Sequence, residues 1–303
     1  MRRLQTVFCG KGGRLRCGWL LALGGALDLA WAYAVFAGLT RVFSGLFAVW
    51  GITSANLSRA PGWAQWLVRS HGSVISLVTS LGVVALSLGL LRLTGAKRPR
   101  GGIRGGTLAV GAGIGLAVVL ASAGLFVLID SMRPAFPLAE ARFGGELIAL
   151  FIVYLAAALA EELFDRAFVL RAVDPAGGSG KRRLLSWAAS AAALWLTTGA
   201  LGLGVLGSIN MLLFGLLLAL LHDLGRPELS LGLRFGWSYA SVALVNFPGG
   251  NTASRPLWQL NHVSESLLTG GDRGLICGLW MTALLALALL AIFLRMGKAN
   301  KEG

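Results

Sequence analysis

The chain has 303 residues, 56% of them hydrophobic and only 13% charged, with a mean hydropathy of +0.73. A soluble globular protein carries about a quarter charged residues, so this composition excludes one. The net charge of +14 does not point to nucleic acid, because the basic residues sit in gaps between apolar runs and no exposed aromatics interleave them.

Those runs are about twenty residues long, the length that crosses a bilayer. Met1 to Arg16 carries Arg2, Arg3, Lys11, Arg14 and Arg16 ahead of the first run. The arrangement resembles a signal peptide ending near Ala32-Tyr33-Ala34, but Asp28 interrupts the apolar stretch and the stretch continues past that point. The segment therefore reads as an uncleaved first span, Cys17 to about Leu39. Val42–Ile52 is apolar but short, which predicts an interfacial stretch. The next spans are expected at Ser73–Leu91, Thr107–Ile129 and Gly145–Leu170. Four more follow at Leu184–Leu206, Ile209–Leu221, Leu229–Val245 and Gly274–Leu294. The short sixth run predicts a tilted or partly interfacial helix. Asn246–Asp272 is the longest outer loop.

The expected fold is an all-α polytopic bundle of about eight spans. It divides into N-terminal helices over 1–144, a core over 145–294 and a tail over 295–303. The 43 glycines lie largely within the apolar runs, where membrane helices use them for close approach. Cys9, Cys17 and Cys277 show no paired spacing and no metal-type motif, so no disulfide framework is implied.

Alternating loops with the N-terminus inside place 18 of the 27 Lys and Arg residues on the inner side and seven on the outer. This asymmetry predicts a multi-pass protein of the cell membrane with both termini cytoplasmic. The two remaining cations, Arg166 and Arg234, fall within or at the edge of spans.

Charge inside a span costs a few kcal/mol and marks function by default. Glu161-Glu162-Leu163-Phe164-Asp165-Arg166 puts four ionisable groups on the fourth span. Glu161 lies about 24 Å along the helix from Gly145, which places the cluster in the cytoplasmic half. Glu162 and Arg166 are spaced i, i+4 in the orientation that favours an ion pair, whereas Glu161 and Asp165 are like-charged. Glu161 therefore needs another counterpart, a proton or water. Arg234, near the inner end of the seventh expected span, is either a snorkelling side chain or that counterpart facing Glu161 across the bundle.

Glu161-Glu162-x-x-x-Arg166 resembles the first motif of the CPBP family, the CAAX-protease and bacteriocin-processing (Abi) family of intramembrane endopeptidases. The resemblance extends over Glu146 to Leu294 and includes the turn Gly225-Arg226-Pro227-Glu228-Leu229. It also includes Gly232-Leu233-Arg234-Phe235-Gly236-Trp237 and Leu268-Thr269-Gly270-Gly271. It implies hydrolysis of a membrane-anchored or hydrophobic peptide near the cytoplasmic face. Glu161 would be the base for water, with Glu162 and Arg166 its orienting pair. Arg234 and Ser238 would be donors to the oxyanion. The implied partners are membrane lipids and that peptide; no cofactor is implied, and the metal requirement stays open.

The chain departs from the family at both histidine motifs. Leu194-Trp195-Leu196-Thr197-Thr198-Gly199 stands where Phe-x-x-x-His is expected, and Arg234-Phe235-Gly236-Trp237-Ser238 where His-x-x-x-Asn is expected. Arginine stays charged where histidine titrates, so an arginine opposite Glu161 would lock the base in an ion pair. Thr198 and Ser238 keep hydrogen-bonding capacity. Two readings follow: an endopeptidase, or a pseudoenzyme that binds a peptide, lipid or protein without cleaving it. A transporter is disfavoured, because the charges concentrate at one locus and no inverted repeat is present.

Overall fold

The structure, a computed structural model, describes residues 17–53, 56–94, 104–135, 143–175, 180–248, 256–263 and 266–302. The basic N-terminal segment before Cys17 and most of the basic loop around Lys97 to Arg100 lie outside the described residues.

In chain order the helices are α1 (Cys17–Val49), α2 (Gly62–Leu93), α3 (Gly105–Leu128) and α4 (Phe143–Glu161). The last continues through a π-helical turn, Glu162–Phe168, into the short α5 (Val169–Val173). Next come α6 (Lys181–Thr197), α7 (Gly204–Asp223), α8 (Pro227–Tyr239) and α9 (Leu279–Glu302). Three short strands, β1 (Met132–Ala135), β2 (Val245–Asn246) and β3 (Trp258–His262), form a small sheet in the order β1-β3-β2. β1 runs antiparallel to β3, with Met132 opposite His262, and β2 runs parallel to it.

Among the described residues six helices are long and apolar enough to cross a membrane. The chain is an all-α multi-pass membrane protein. The expected eight spans are thereby corrected to six, for a local reason. The apolar run Leu184–Leu206 is not one helix. α6 stops at Thr197, Gly199 takes a left-handed φ of 66°, and a 3-10 turn over Ala200–Leu203 leads to Gly204 at φ 72°. The residues beyond the turn start α7, which thus reaches 20 residues and becomes a spanning candidate. α8 has only 13 residues, Glu228 and Arg234 among them, before the backbone turns π-helical at Ala240–Leu244. At the N-terminal end, the interfacial stretch expected at Val42–Ile52 is largely the last part of α1, which runs 33 residues.

The residues fall into two compact units, divided within the π-helical turn between Phe164 and Asp165. In the first, α1 and α2 pack antiparallel, and α4 packs on α2. Gly82 leaves room on α2 for the Trp31 ring, whose indole N–H donates to the Thr79 carbonyl at 3.1 Å. Trp50 and Trp63 meet edge to face at 5.0 Å where α1 gives way to α2, amphipathic rings of the kind that collect at membrane interfaces.

The second unit is built on α3 and α8, which run parallel. Each carries a glycine pair four residues apart, Gly111 with Gly115 and Gly232 with Gly236. The pairs interlock: Gly111 lies on the backbone of Leu229 to Leu233, Gly115 on Leu233 to Trp237, Gly232 on Leu108 and Ala112, and Gly236 on Ala112. Without side chains in the way the backbones touch, the arrangement small residues permit between membrane helices.

α6 and α7 form an antiparallel hairpin. At its open end Asp223 accepts from Arg183 Nε at 2.6 Å and from Trp187 Nε1 at 2.9 Å. α9 joins α7 through Asn210, which is fully buried. Its Nδ2 donates to the Ile276 and Gly278 carbonyls at 2.7 and 3.0 Å, and its Oδ1 accepts from Thr282 Oγ1 at 2.7 Å. Asn210→Leu is therefore expected to lower stability by about 2–4 kcal/mol, since it strands two carbonyls where water is scarce. Unfolding in mixed micelles would measure the loss. The core between these helices includes Val119, Phe126, Phe214, Leu218, Trp237 and Leu285.

Candidate functional site

The charged cluster of the fourth span sits on the π-helical turn. The extra residue in such a turn widens the backbone and re-aims the side chains that follow, and such turns occur frequently at functional sites. Glu161 ends α4 and is half-buried, and Glu162 is buried; both belong to the first unit. Asp165, Arg166, Arg234 and Ser238 belong to the second.

Within the second unit Asp165 and Arg166 are the deepest charges, 0% and 1% exposed. Asp165 Oδ2 lies 3.9 Å from Arg166 NH1 and accepts from Thr197 Oγ1 at 3.2 Å. The threonine that meets the cluster is thus Thr197. Thr198, which the sequence offered as a donor, turns its hydroxyl back on its own helix and donates to the Leu194 carbonyl at 2.6 Å.

Thr197 is the last residue of α6, about 21 Å along that helix from Arg183. Asp165 therefore sits at the turn end of the α6–α7 hairpin, remote from the basic residues Lys181 to Arg183.

Arg234 is half-buried on α8, with its guanidinium carbon 5.9 Å from the centre of the Phe214 ring. This is cation–π range. Phe214 is level with the contact between Gly215 and Ala191, about 9 Å along α6 from Thr197. Ser238 follows one turn later on α8 and is also half-buried.

The histidines lie elsewhere. His71 packs against Phe43 and Phe47 in the first unit, with ring centres 5.8 and 6.1 Å apart. His222 is in the last turn of α7, at the hairpin end opposite Thr197. His262 Nδ1 lies 2.9 Å from Asp272 Oδ1 at the small sheet. Among the described residues no group of three His, Cys, Asp or Glu side chains could hold a metal ion.

Three segments that carried the sequence resemblance have visible structural work. Gly232 and Gly236 make the α3–α8 contact. Gly225 takes a φ of 74° and Pro227 opens α8, so that Gly-Arg-Pro-Glu-Leu is the tight turn from α7. Leu267 and Leu268 accept the N–H groups of Leu279 and Trp280 at 2.9 and 3.2 Å. That loop caps α9 by supplying acceptors for donors its first turn cannot satisfy.

A cleft of about 490 Å³ lies among Leu203, Leu206, Ser266, Asp272, Arg273 and Cys277. Burial pushes the Cys277 thiol up, against the opposing pull of the Arg273 guanidinium. Cys277 Sγ lies 3.5 Å from the Leu203 carbonyl, so the group is a protonated core thiol and a poor nucleophile. No protein-family model, curated protein or solved structure matches this chain.

Proposed function

We propose that the chain is a membrane-embedded binding protein, a non-hydrolytic variant on the CPBP pattern that holds a hydrophobic peptide or lipid-linked partner without cleaving it. The observation that carries this reading is the Thr197–Asp165–Arg166 cluster. A threonine that does not titrate stands on the helix where the pattern has a histidine, and its hydroxyl is shared between a buried carboxylate already beside an arginine and the Leu194 carbonyl, each 3.2 Å away. Water activation needs a group whose pKa lies near the working pH. The nearest part of α7 carries no histidine, because His222 is at its far end. Buried polar atoms of Ser190, Trp195, Ser241 and Asn246 lack a hydrogen-bond partner among the described residues.

The π-helical turn favours a second reading, an intramembrane endopeptidase with Glu161 as base, because strain and widening of this kind recur at reactive sites. Incubation of the purified chain with a prenylated CAAX peptide and a library of hydrophobic peptides, read by mass spectrometry, separates the two. Retention of an intact peptide, unaltered by Glu161→Gln, is the expected result. Cleavage that vanishes in Glu161→Gln while the protein stays folded would replace the binding reading with the hydrolytic one.

A further inference from the structure

We infer that the second unit holds one acyl chain of an anionic phospholipid, seated in a groove among α3, α7, α8 and α9 with its headgroup on a basic rim at one end. The groove is half open, encloses about 260 Å³, and is lined by apolar side chains alone, among them Val118, Phe214, Leu233, Trp237, Leu285 and Ile292.

The helix directions decide which end is which. α3 and α8 are parallel, through Leu108 on Gly232 and Ala112 on Gly236. α7 and α9 are parallel to each other, through Gly207 on Cys277 and, one turn on, Asn210 on Thr282. The tight turn from Asp223 to Pro227 sets α7 antiparallel to α8, and the Phe214 and Trp237 rings, 5.5 Å apart, meet at matching distances from that turn. Met281, Val118 and Trp237 therefore lie at one end of the groove, and Leu221, Leu229 and Ile292 at the other.

From Met281 to Ile292 along α9 is about 16 Å. The hydrocarbon core of a bilayer is about 30 Å thick, so the groove spans one leaflet, the depth of a single acyl chain.

The rim beyond Ile292 is positive. Arg104 precedes α3, Arg226 precedes α8 and Arg295 follows Ile292 on α9, all three exposed. The N-termini of α3 and α8 point to the same end and add partial positive charge, which the C-terminus of α7 partly offsets. Two acids share it. Glu228 Oε1 is 3.4 Å from the Arg104 backbone N–H, and Asp223 is engaged by Arg183 and Trp187. The balance stays cationic. A peptide would bring backbone N–H and C=O groups into a groove with no polar side chain to receive them, which hydrocarbon surroundings penalise heavily. An acyl chain brings none. The inference is independent of the Asp165 cluster and of whether peptides are cleaved.

The test uses the full chain purified in a neutral detergent. It compares phosphatidylglycerol, phosphatidylcholine of the same acyl chains, and inorganic phosphate by melting temperature and native mass spectrometry. Phosphatidylglycerol is expected to raise the melting temperature about 5 °C above phosphatidylcholine, with one lipid retained. Arg104→Gln combined with Arg226→Gln should erase that difference. Ala288→Phe, which fills the groove, should lose the retained lipid of either headgroup while its lipid-free melting temperature is unchanged. Ile292→Trp repeats the blockade at the groove mouth should Ala288→Phe fail to fold. Equal stabilisation by both lipids, full stabilisation by inorganic phosphate, or retention of lipid by both filled variants would each overturn the inference. So would a lipid-free dimer that Ala288→Phe returns to monomer, which would assign the groove to a second copy.

Discussion

Gly236→Leu is expected to cost about 3 kcal/mol or more and to leave little folded protein, because its side chain would meet the Ala112 carbonyl and backbone. A flexible side chain could yield to the newcomer; a helix backbone held by its own hydrogen bonds cannot. The two helices would have to separate, and separation undoes the neighbouring contacts at Gly111, Gly115 and Gly232 together. Loss of stability should therefore spread along the whole α3–α8 seam. Gly113→Leu, on the partner helix α3, supplies the comparison. It lies between Gly111 and Gly115 in sequence but has open space around it, so its effect should stay within about 0.5 kcal/mol. Denaturation of both variants in mixed micelles checks the pair of values. Similar losses in the two would mean that α3 and α8 do not meet through their glycines.

Arg166→Met should destabilise by about 3–5 kcal/mol, the range for removing one partner from a buried charge pair. Arg166 is the largest fully buried side chain among the described residues, and its removal takes from the buried Asp165 the guanidinium that lies 3.9 Å away, while the Thr197 hydroxyl remains. A hydroxyl stabilises a carboxylate far less than a guanidinium does. Asp165→Asn should cost less, since the amide retains a hydrogen-bonding oxygen for Thr197. The double variant should be less damaging than the sum of the two, because the second change removes the charge that the first one stranded. Thermal unfolding of all four proteins closes this cycle. Strict additivity would show that the two side chains do not share their stabilisation.

Most helices were legible because the apolar runs are long and uninterrupted. Cys17 onward, Thr107–Ile129 and Gly145–Leu170 each required only the rule that an apolar stretch of bilayer length must satisfy its backbone internally. Leu184–Leu206 misled for the same reason. Hydropathy does not register that Gly199 and Gly204 turn the chain back, since glycine is equally at home within a membrane helix. Of the site residues, the Glu161–Arg166 cluster was visible as charge where charge is costly. Thr197 was not, because a threonine among apolar residues carries no signal until something charged lies beside it. A similar limit applies to Gly232–Trp237. Its pattern was recognisable, but its contribution to packing depends on a matching pair about 120 residues earlier, at Gly111 and Gly115.

Read alone, the residue order establishes a helical membrane protein with a concentration of ionisable groups at Glu161–Arg166 within one apolar run, because burial of charge and of bare backbone is so costly in hydrocarbon that composition and run length carry that information locally. It also establishes that no histidine stands at either position where the pattern it resembles has one. Which helices cross, which glycines touch, that Asp165 is met by Thr197, and that an apolar groove ends at Arg104 and Arg226 all depend on contacts between segments far apart in the chain. Such contacts arise from how the helices pack, and a one-dimensional pattern does not encode the partner that each face will find.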